Sequence, residues 1–148
     1  MSNEVPVNAF AAAKKPLEGI RVLDLSHAYS GPFCTMHLAE NFRVGTMEKL
    51  GLGYEVLKEI NPRLIYASIN GFGLEGPMAK RPCYDIIAQA MGGMMSVTGI
   101  NEPTKVGPAI ADNYSGTYLS LGIVMALFQR ERTGMGRRLD VSMLDTIF

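Results

Sequence analysis

Asp112 is the residue of this sequence whose type and position most favour chemistry. It follows the segment 105–111, rich in small residues, and precedes an apolar run that continues to Phe128. This order predicts a helix beginning near Asp112, where unpaired N–H groups and the helix dipole favour the charge of a carboxylate. Asp112 is therefore either an N-cap that accepts a bond from the amide of Tyr114 or Ser115, worth about 1 kcal/mol, or a nucleophile that attacks an activated acyl group.

Two further candidate residues follow a strand-like run near the start of the chain. Residues 20–25 are rich in branched apolar side chains, which predicts a strand, and a turn-forming segment with Tyr29 and Ser30 comes next. Pro32 then predicts the start of a helix. Because ligands bind at the carboxyl ends of strands in open α/β sheets, Tyr29 and Ser30 are candidate binding residues.

A glycine-rich loop follows a second predicted strand at residues 64–69. Gly71, Gly73 and Gly76 match the spacing of a dinucleotide-binding fingerprint. The residues from Pro77 onward do not continue as a helix, however, and no acidic residue lies about twenty positions on to hold a ribose. The loop is therefore interpreted as a place where backbone approaches a ligand closely, and not as an NAD or FAD site.

The remaining sequence patterns predict the helices and strands that position these candidate residues. Helical patterns are predicted at residues 47–50, with Thr46 as the cap, at 54–60, at 84–95 and after Asp112, and a last strand is predicted at 138–143. Strands alternating with helices favour an α/β fold with a parallel sheet. The helix after Asp112 is apolar nearly all round, which predicts that it is buried in the centre of a larger fold.

Composition narrows the classes of function. In 148 residues, 14 basic side chains balance 14 acidic ones, so neither nucleic acid nor an anionic membrane is the expected partner. Cys34 and Cys83 lack metal-ligand spacing, and we expect no metal site and no disulfide framework. The first residues lack the apolar core of a secretory signal, and no apolar run is long enough to span a bilayer. We therefore expect a cytoplasmic protein with a flexible segment at 1–15 and one domain at 16–148.

Ordered phrases along the chain form a more specific signature. They are PLEGIRVLDL at 16–25, GPF at 31–33, NFR at 41–43, GLGY at 51–54, NPRLI at 61–65, GFG at 71–73, YD at 84–85, AD at 111–112 and RTG at 132–134. Together they resemble the family III CoA transferases, the CaiB/BaiF family, in a form similar to formyl-CoA:oxalate CoA-transferase. The resemblance implies a partial, Rossmann-like open parallel sheet with flanking helices, the CoA-binding large domain of the family.

The resemblance also implies a mechanism in which Asp112 is the nucleophile. Asp112 attacks an acyl-CoA thioester to give a mixed anhydride, and the CoA thiolate returns to form an aspartyl-CoA thioester. An acceptor carboxylate then takes the CoA by the same two steps in reverse. CoA thioester is thus a substrate and no cofactor is held permanently. The implied partners are an acyl-CoA and a small carboxylic acid, and the implied assembly in the family is a homodimer.

Seven residues are implied to contact the CoA substrate. They are Tyr29, Ser30, Asn41, Phe42, Arg43, Lys49 and Tyr84. The same fold carries 2-methylacyl-CoA racemases, whose catalytic histidine would fall at Tyr84. A phenol with a pKa near 10 is a poor base at neutral pH, so the transferase is favoured over the racemase.

The sequence also departs from the family pattern. Relative to that pattern, strands and a helix are missing where Glu40 meets Asn41, and the chain ends before the family's small domain. The fold is therefore expected to be incomplete. Two functions stay open: a CoA transferase that keeps its nucleophile, and a non-catalytic α/β fragment that binds a nucleotide-like ligand or a full-length partner.

Overall fold

A computed structural model describes residues 17–23 and 44–148. Within these ranges the elements are α1 (Thr46–Lys49), α2 (Tyr54–Ile60), β1 (Tyr66–Asn70), α3 (Asp85–Met91), α4 (Met94–Thr98), α5 (Ile110–Thr133) and β2 (Arg138–Ser142). The flexible segment expected at 1–15, the helix expected after Pro32 and the join at Glu40 lie outside the described residues.

The two strands form a parallel pair. The register runs from Tyr66 opposite Arg138 to Asn70 opposite Ser142. Parallel neighbours need a long crossover, and α3, α4 and α5 supply it between β1 and β2. The α/β fold with a parallel sheet and flanking helices is therefore confirmed.

The core lies between the sheet and α5. Its buried members are Ile69, Ala88, Ala111, Leu119, Ile123, Met143 and Ile147. Gly122 faces the side chain of Leu139, so α5 lies close to β2. The interior is thus a single layer of helix on sheet.

The outward face of α5 is not buried, contrary to the expectation from its composition. Large apolar residues on that face are exposed: Tyr114, Tyr118, Leu121, Val124, Met125 and Phe128. A helix that lies on a sheet covers only one of its faces, and the described residues contribute no second layer over α5. Within these residues, no helix combines the length and the apolar character needed to cross a membrane.

Three expectations about local structure were wrong in part. Ile20–Leu23 do not form a strand, because a strand requires a backbone ladder with a neighbour and the described sheet contains only β1 and β2. Helix α2 has its expected bounds, and the spacing of Val56, Leu57 and Ile60 predicts that they face inward, but Val56 and Ile60 are exposed. Thr46 is the first residue of α1 and not its cap, since Gly45 takes that position.

The helix expected at residues 84–95 is divided into α3 and α4. Gly93 has φ of 79°, a left-handed conformation that glycine adopts without strain, and it takes the N-cap position of α4. Gly92 packs so closely against Ile147 that an added Cβ would lie 2.7 Å from Ile147 Cγ2. The glycine pair therefore serves both as a helix end and as a close contact in the core.

Candidate active site

Asp112 lies in the first turn of α5, where it is partly buried. The helix starts at Ile110 and its N-cap position is Ala109, which has no side chain able to cap. The N-cap interpretation of Asp112 was therefore wrong. A carboxylate in the first turn still benefits from the positive end of the helix dipole, which favours the ionised form.

The first turn of α5 is capped by a residue from another helix. Asp85 Oδ1 accepts a hydrogen bond of 2.9 Å from the backbone N–H of Ala111. Asp85 begins α3, and its residue is only 8% exposed. Asp85 belongs to the YD phrase of the family signature, but its place in the sequence indicates no function for it. The signal that could have found it was a glutamine four residues later, since Gln89 Nε2 donates to Asp85 Oδ2 at 2.7 Å.

The glycine-rich loop starts where β1 ends. Gly71 packs against Cys83, and an added methyl group at Gly71 would overlap Cys83 Cβ. Gly73 and Gly76 have positive φ, and Gly73 N–H bonds to Asn70 Oδ1 at 2.5 Å. No helix follows the loop until α3, so the described structure lacks the phosphate-binding helix of a dinucleotide site.

Cys83 connects this loop to Asp112. Burial raises the pKa of the Cys83 thiol to about 11, and the negative charges of Asp112 and Asp85 add to the rise. Cys83 also lies against Gly71, and Asp85, two residues after Cys83, accepts the bond from Ala111 in the first turn of α5. The loop after β1 and this turn are therefore neighbours. Asp112 is thus near the carboxyl end of a parallel strand, the location of ligand sites in open α/β sheets.

Two polar atoms, one at the end of β1 and one in the first turn of α5, are buried without a hydrogen-bond partner in the described part of the chain. They are Asn70 Nδ2, at the last residue of β1, and Asn113 Oδ1, next to Asp112. Buried polar atoms are nearly always paired. The two asparagines therefore leave one donor and one acceptor available near the candidate site.

The structure describes three of the eight candidate site residues. Tyr84 is 71% exposed and directly precedes Asp85. Because Asp85 accepts a bond from Ala111, Tyr84 also lies close to the start of α5. Lys49 is the last residue of α1 and is exposed. The other candidates besides Asp112 lie outside the described residues: Tyr29, Ser30, Asn41, Phe42 and Arg43.

A cavity of about 260 Å³ lies at the other end of the molecule. It is bounded by Ile20–Leu23, by the start of β1 and by the carboxyl-terminal half of α5. Of the candidate residues that the structure describes, none lines this cavity. In residues 17–23 and 44–148 there is also no group of three side chains suited to hold a metal ion.

Comparison with known families gives a match over most of the chain. The model of "CoA-transferase family III" matches residues 38–148. The matched range contains Asp112, Tyr84 and Lys49, as well as the glycine-rich loop. All the described elements lie within it.

Curated relatives and a solved structure agree with this match. The acetyl-CoA:oxalate CoA-transferase of Acetobacter aceti is 54% identical over 73% of this chain and 28% of its own length. The formyl-CoA:oxalate CoA-transferase of Streptomyces coelicolor is 46% identical over 72% of this chain and 26% of its own. A crystal structure of a CaiB/BaiF family protein from Brucella suis has a TM-score of 0.70 and 49% identity, covering 74% of this chain and 29% of that one. The chain thus spans less than a third of the length of these relatives.

Proposed function

The chain belongs to CoA-transferase family III, and from this premise we propose that it moves CoA between an acyl-CoA thioester and a small carboxylic acid through an aspartyl-CoA intermediate on Asp112. The names of the relatives pair a CoA thioester with an acid, as in acetyl-CoA:oxalate and formyl-CoA:oxalate CoA-transferase. We propose the same pair of substrate classes for this chain. Homodimer assembly and a cytoplasmic location belong to the same proposal.

The observation that carries this proposal is the position of Asp112. It lies in the first turn of a helix of 24 residues, and this turn is joined through Asp85 and Cys83 to the loop that follows a parallel strand. The positive end of the helix dipole favours the negative charge of the carboxylate, and a nucleophile requires that charged form. The nearby glycine-rich loop offers backbone N–H groups that suit the oxyanion formed when a thioester is attacked.

The proposed reaction balances over four steps. Asp112 attacks the thioester carbonyl, the C–S bond breaks, and a mixed anhydride and CoA thiolate result. The thiolate attacks the aspartyl carbonyl, which releases the first acid and leaves an aspartyl-CoA thioester. The acceptor carboxylate then attacks this thioester and expels the thiolate, which attacks the acceptor acyl group and frees Asp112. No proton is consumed, since each species that leaves is an anion.

The residues expected to contact CoA complete the proposal. Arg43 and Lys49 suit phosphate groups, the first as a fork-shaped donor and the second as a point charge. Tyr29, Ser30, Asn41 and Phe42 are proposed contacts by family resemblance. Tyr84 is exposed close to the start of α5, where it can contact the acyl portion.

Mass spectrometry tests the proposal directly. The chain is incubated with acetyl-CoA or formyl-CoA, and its intact mass and peptides are examined for CoA attached to Asp112. We expect CoA-linked mass in the wild-type chain and none in Asp112→Ala. Asp145→Ala is the matched control, because Asp145 is an exposed aspartate in the turn after β2, and it should keep the adduct. An adduct that persists in Asp112→Ala would contradict the assignment of the nucleophile.

A second candidate function is a non-catalytic fragment that binds a nucleotide-like ligand or a full-length partner. The exposed apolar face of α5 favours it, because monomers rarely expose a contiguous apolar patch without a binding role. This candidate predicts a melting temperature that rises with CoA while no covalent adduct forms. The same incubation therefore separates the two candidates.

A further inference from the structure

Asp85 is a buried carboxylate that the four transfer steps do not use. Besides the bonds from Ala111 and Gln89, its Oδ2 atom lies 3.3 Å from the ammonium group of Lys105. Taking a carboxylate out of water is costly unless its oxygens are paired. Three donors from three separate segments satisfy it here, and they join α3, the segment before α5, and α5 itself.

Gln89 adds a second set of contacts to the same junction. Its side chain is fully buried, Oε1 accepts the N–H of Val106 at 2.9 Å, and Nε2 also lies 3.3 Å from the carbonyl oxygen of Pro108. Lys105 Nζ donates to the carbonyls of Val106 and Gly107 at 2.7 and 3.1 Å. The segment that leads into α5 is therefore held along its backbone from α3.

These contacts act on the residue next to the nucleophile. The first N–H groups of a helix have no partner within the helix, and Ala109 offers no side-chain acceptor. Asp85 supplies that acceptor to Ala111, one residue before Asp112. Since Tyr84 directly precedes Asp85, the same bond relates the positions of Tyr84 and Asp112.

We infer that Asp85 is a positioning residue for Asp112, which sets the place of the nucleophilic carboxylate relative to Tyr84 and the glycine-rich loop. The inference rests on the proposed function, in which Asp112 attacks the thioester. Attack requires the reacting atoms at near-contact distance, and a misplacement of about 1 Å costs roughly 100-fold in rate. Loss of the bond between Asp85 and Ala111 should therefore slow the chemical step more than it weakens substrate binding.

The Asp85→Asn variant tests this inference with little change of shape. Its Oδ1 can still accept from Ala111, but its NH2 group faces two donors, Gln89 Nε2 and Lys105 Nζ, and accepts from neither. We expect amide hydrogen exchange at residues 111–113 to become about tenfold faster, because a charged acceptor is replaced by a neutral one in a mismatched site. Adduct formation on Asp112 at saturating acetyl-CoA should fall about 10- to 100-fold. The half-saturating concentration should change by less than about threefold.

Ile123→Val is the matched control. It weakens the core face of the same helix about three turns farther on, and it leaves the junction intact. It should alter neither the exchange at residues 111–113 nor the rate of adduct formation. Unchanged exchange in Asp85→Asn, or equal effects in both variants, would overturn the inference. A wild-type chain that forms no adduct would instead overturn the proposed function, while the exchange measurement would still decide whether Asp85 holds the turn that bears Asp112.

Discussion

The two ends of α5 are held by different kinds of contact. At the amino end, the first turn depends on the buried carboxylate of Asp85, which belongs to a helix 26 residues earlier. At the carboxyl end, Gly134 takes the left-handed conformation with φ of 73°, and its N–H bonds to Arg130 O at 2.8 Å. The amino end is therefore held by a buried side chain from another helix, whereas the carboxyl end is held by a bond within its own backbone. A glycine can end a helix with its own backbone, but a helix start without a capping side chain needs an acceptor from elsewhere.

The side chains at the carboxyl end of α5 contribute little further stability. Arg63 lies 3.5 Å from Glu131, and both side chains are largely exposed. Arg130 Nη1 donates to Arg63 O at 3.2 Å. Exposed ion pairs contribute about 0 to 1 kcal/mol because water screens them. The comparison therefore predicts that substitutions at the two ends lower the free energy of unfolding by very different amounts.

The largest effect is expected for Asp85→Ala. It leaves the Ala111 N–H without its acceptor and removes the carboxylate that faces the Lys105 ammonium and Gln89 Nε2. We expect a loss of about 3 kcal/mol in the free energy of unfolding. That loss corresponds to a factor of roughly 150 in the unfolding equilibrium. Urea unfolding measures it, with Asp145→Ala as a control that should change stability by less than about 0.5 kcal/mol. A cost for Asp85→Ala below about 1 kcal/mol would remove the proposed difference between the two ends.

The second prediction uses Cys83 as a probe of the amino end. Its thiol has a pKa of about 11, raised by burial and by the charges of Asp112 and Asp85, against an ordinary value of 9.0. Since the thiolate is the reactive form, alkylation of Cys83 at pH 8 should be about 100-fold slower than that of an unperturbed thiol. Peptide-resolved mass spectrometry after iodoacetamide treatment measures this rate.

The same pKa shift has a definite sign for stability. The folded state keeps the proton on Cys83 more tightly than the unfolded state, so this contribution to stability is complete below about pH 9 and is lost as the pH rises toward about 11. Asp112→Asn removes one of the charges that raise the pKa, and alkylation of Cys83 at pH 9 should become faster. No change in this variant would indicate that Asp112 does not face Cys83.

The smallest effect is expected for Glu131→Ala at the carboxyl end. It removes a 3.5 Å contact between exposed side chains, while the bond from Gly134 to Arg130 O remains. We expect a change of less than about 0.5 kcal/mol in the free energy of unfolding, a factor of about two in the equilibrium. Urea unfolding at low and high salt measures it. A loss as large as that of Asp85→Ala would show that the carboxyl end also depends on side-chain contacts.

Much of the local structure was predictable from the residues alone. The bounds of α2 and the strands β1 and β2 follow from periodicity and from glycine and proline positions. The start of α5 was placed two residues late, because Asp112 is a good N-cap by type. The strand expected at 20–25 failed over Ile20–Leu23, since strand propensity does not supply a neighbour.

The two faces of α5 show the same limit on prediction. Leu119 is 1% exposed and Leu121 is 57% exposed, although both are leucines in one apolar helix. The hydrophobic pattern of this helix has no clear polar side, so it could not indicate which face meets the sheet. Small residues such as Ala111, Ser115 and Gly116 take the inner face, where they allow close packing.

The sequence by itself determined the family, most of the helices and strands, and Asp112 as the candidate nucleophile, because each of these depends on residues that are close together in the chain or on short ordered motifs. Only the tertiary structure decided that Asp85 caps the helix bearing Asp112, that Cys83 packs against Gly71, and which face of α5 is covered. The reason is physical: hydrogen-bond partners, desolvation and burial depend on distances in space, and residues 26 positions apart come into contact only once the fold has formed.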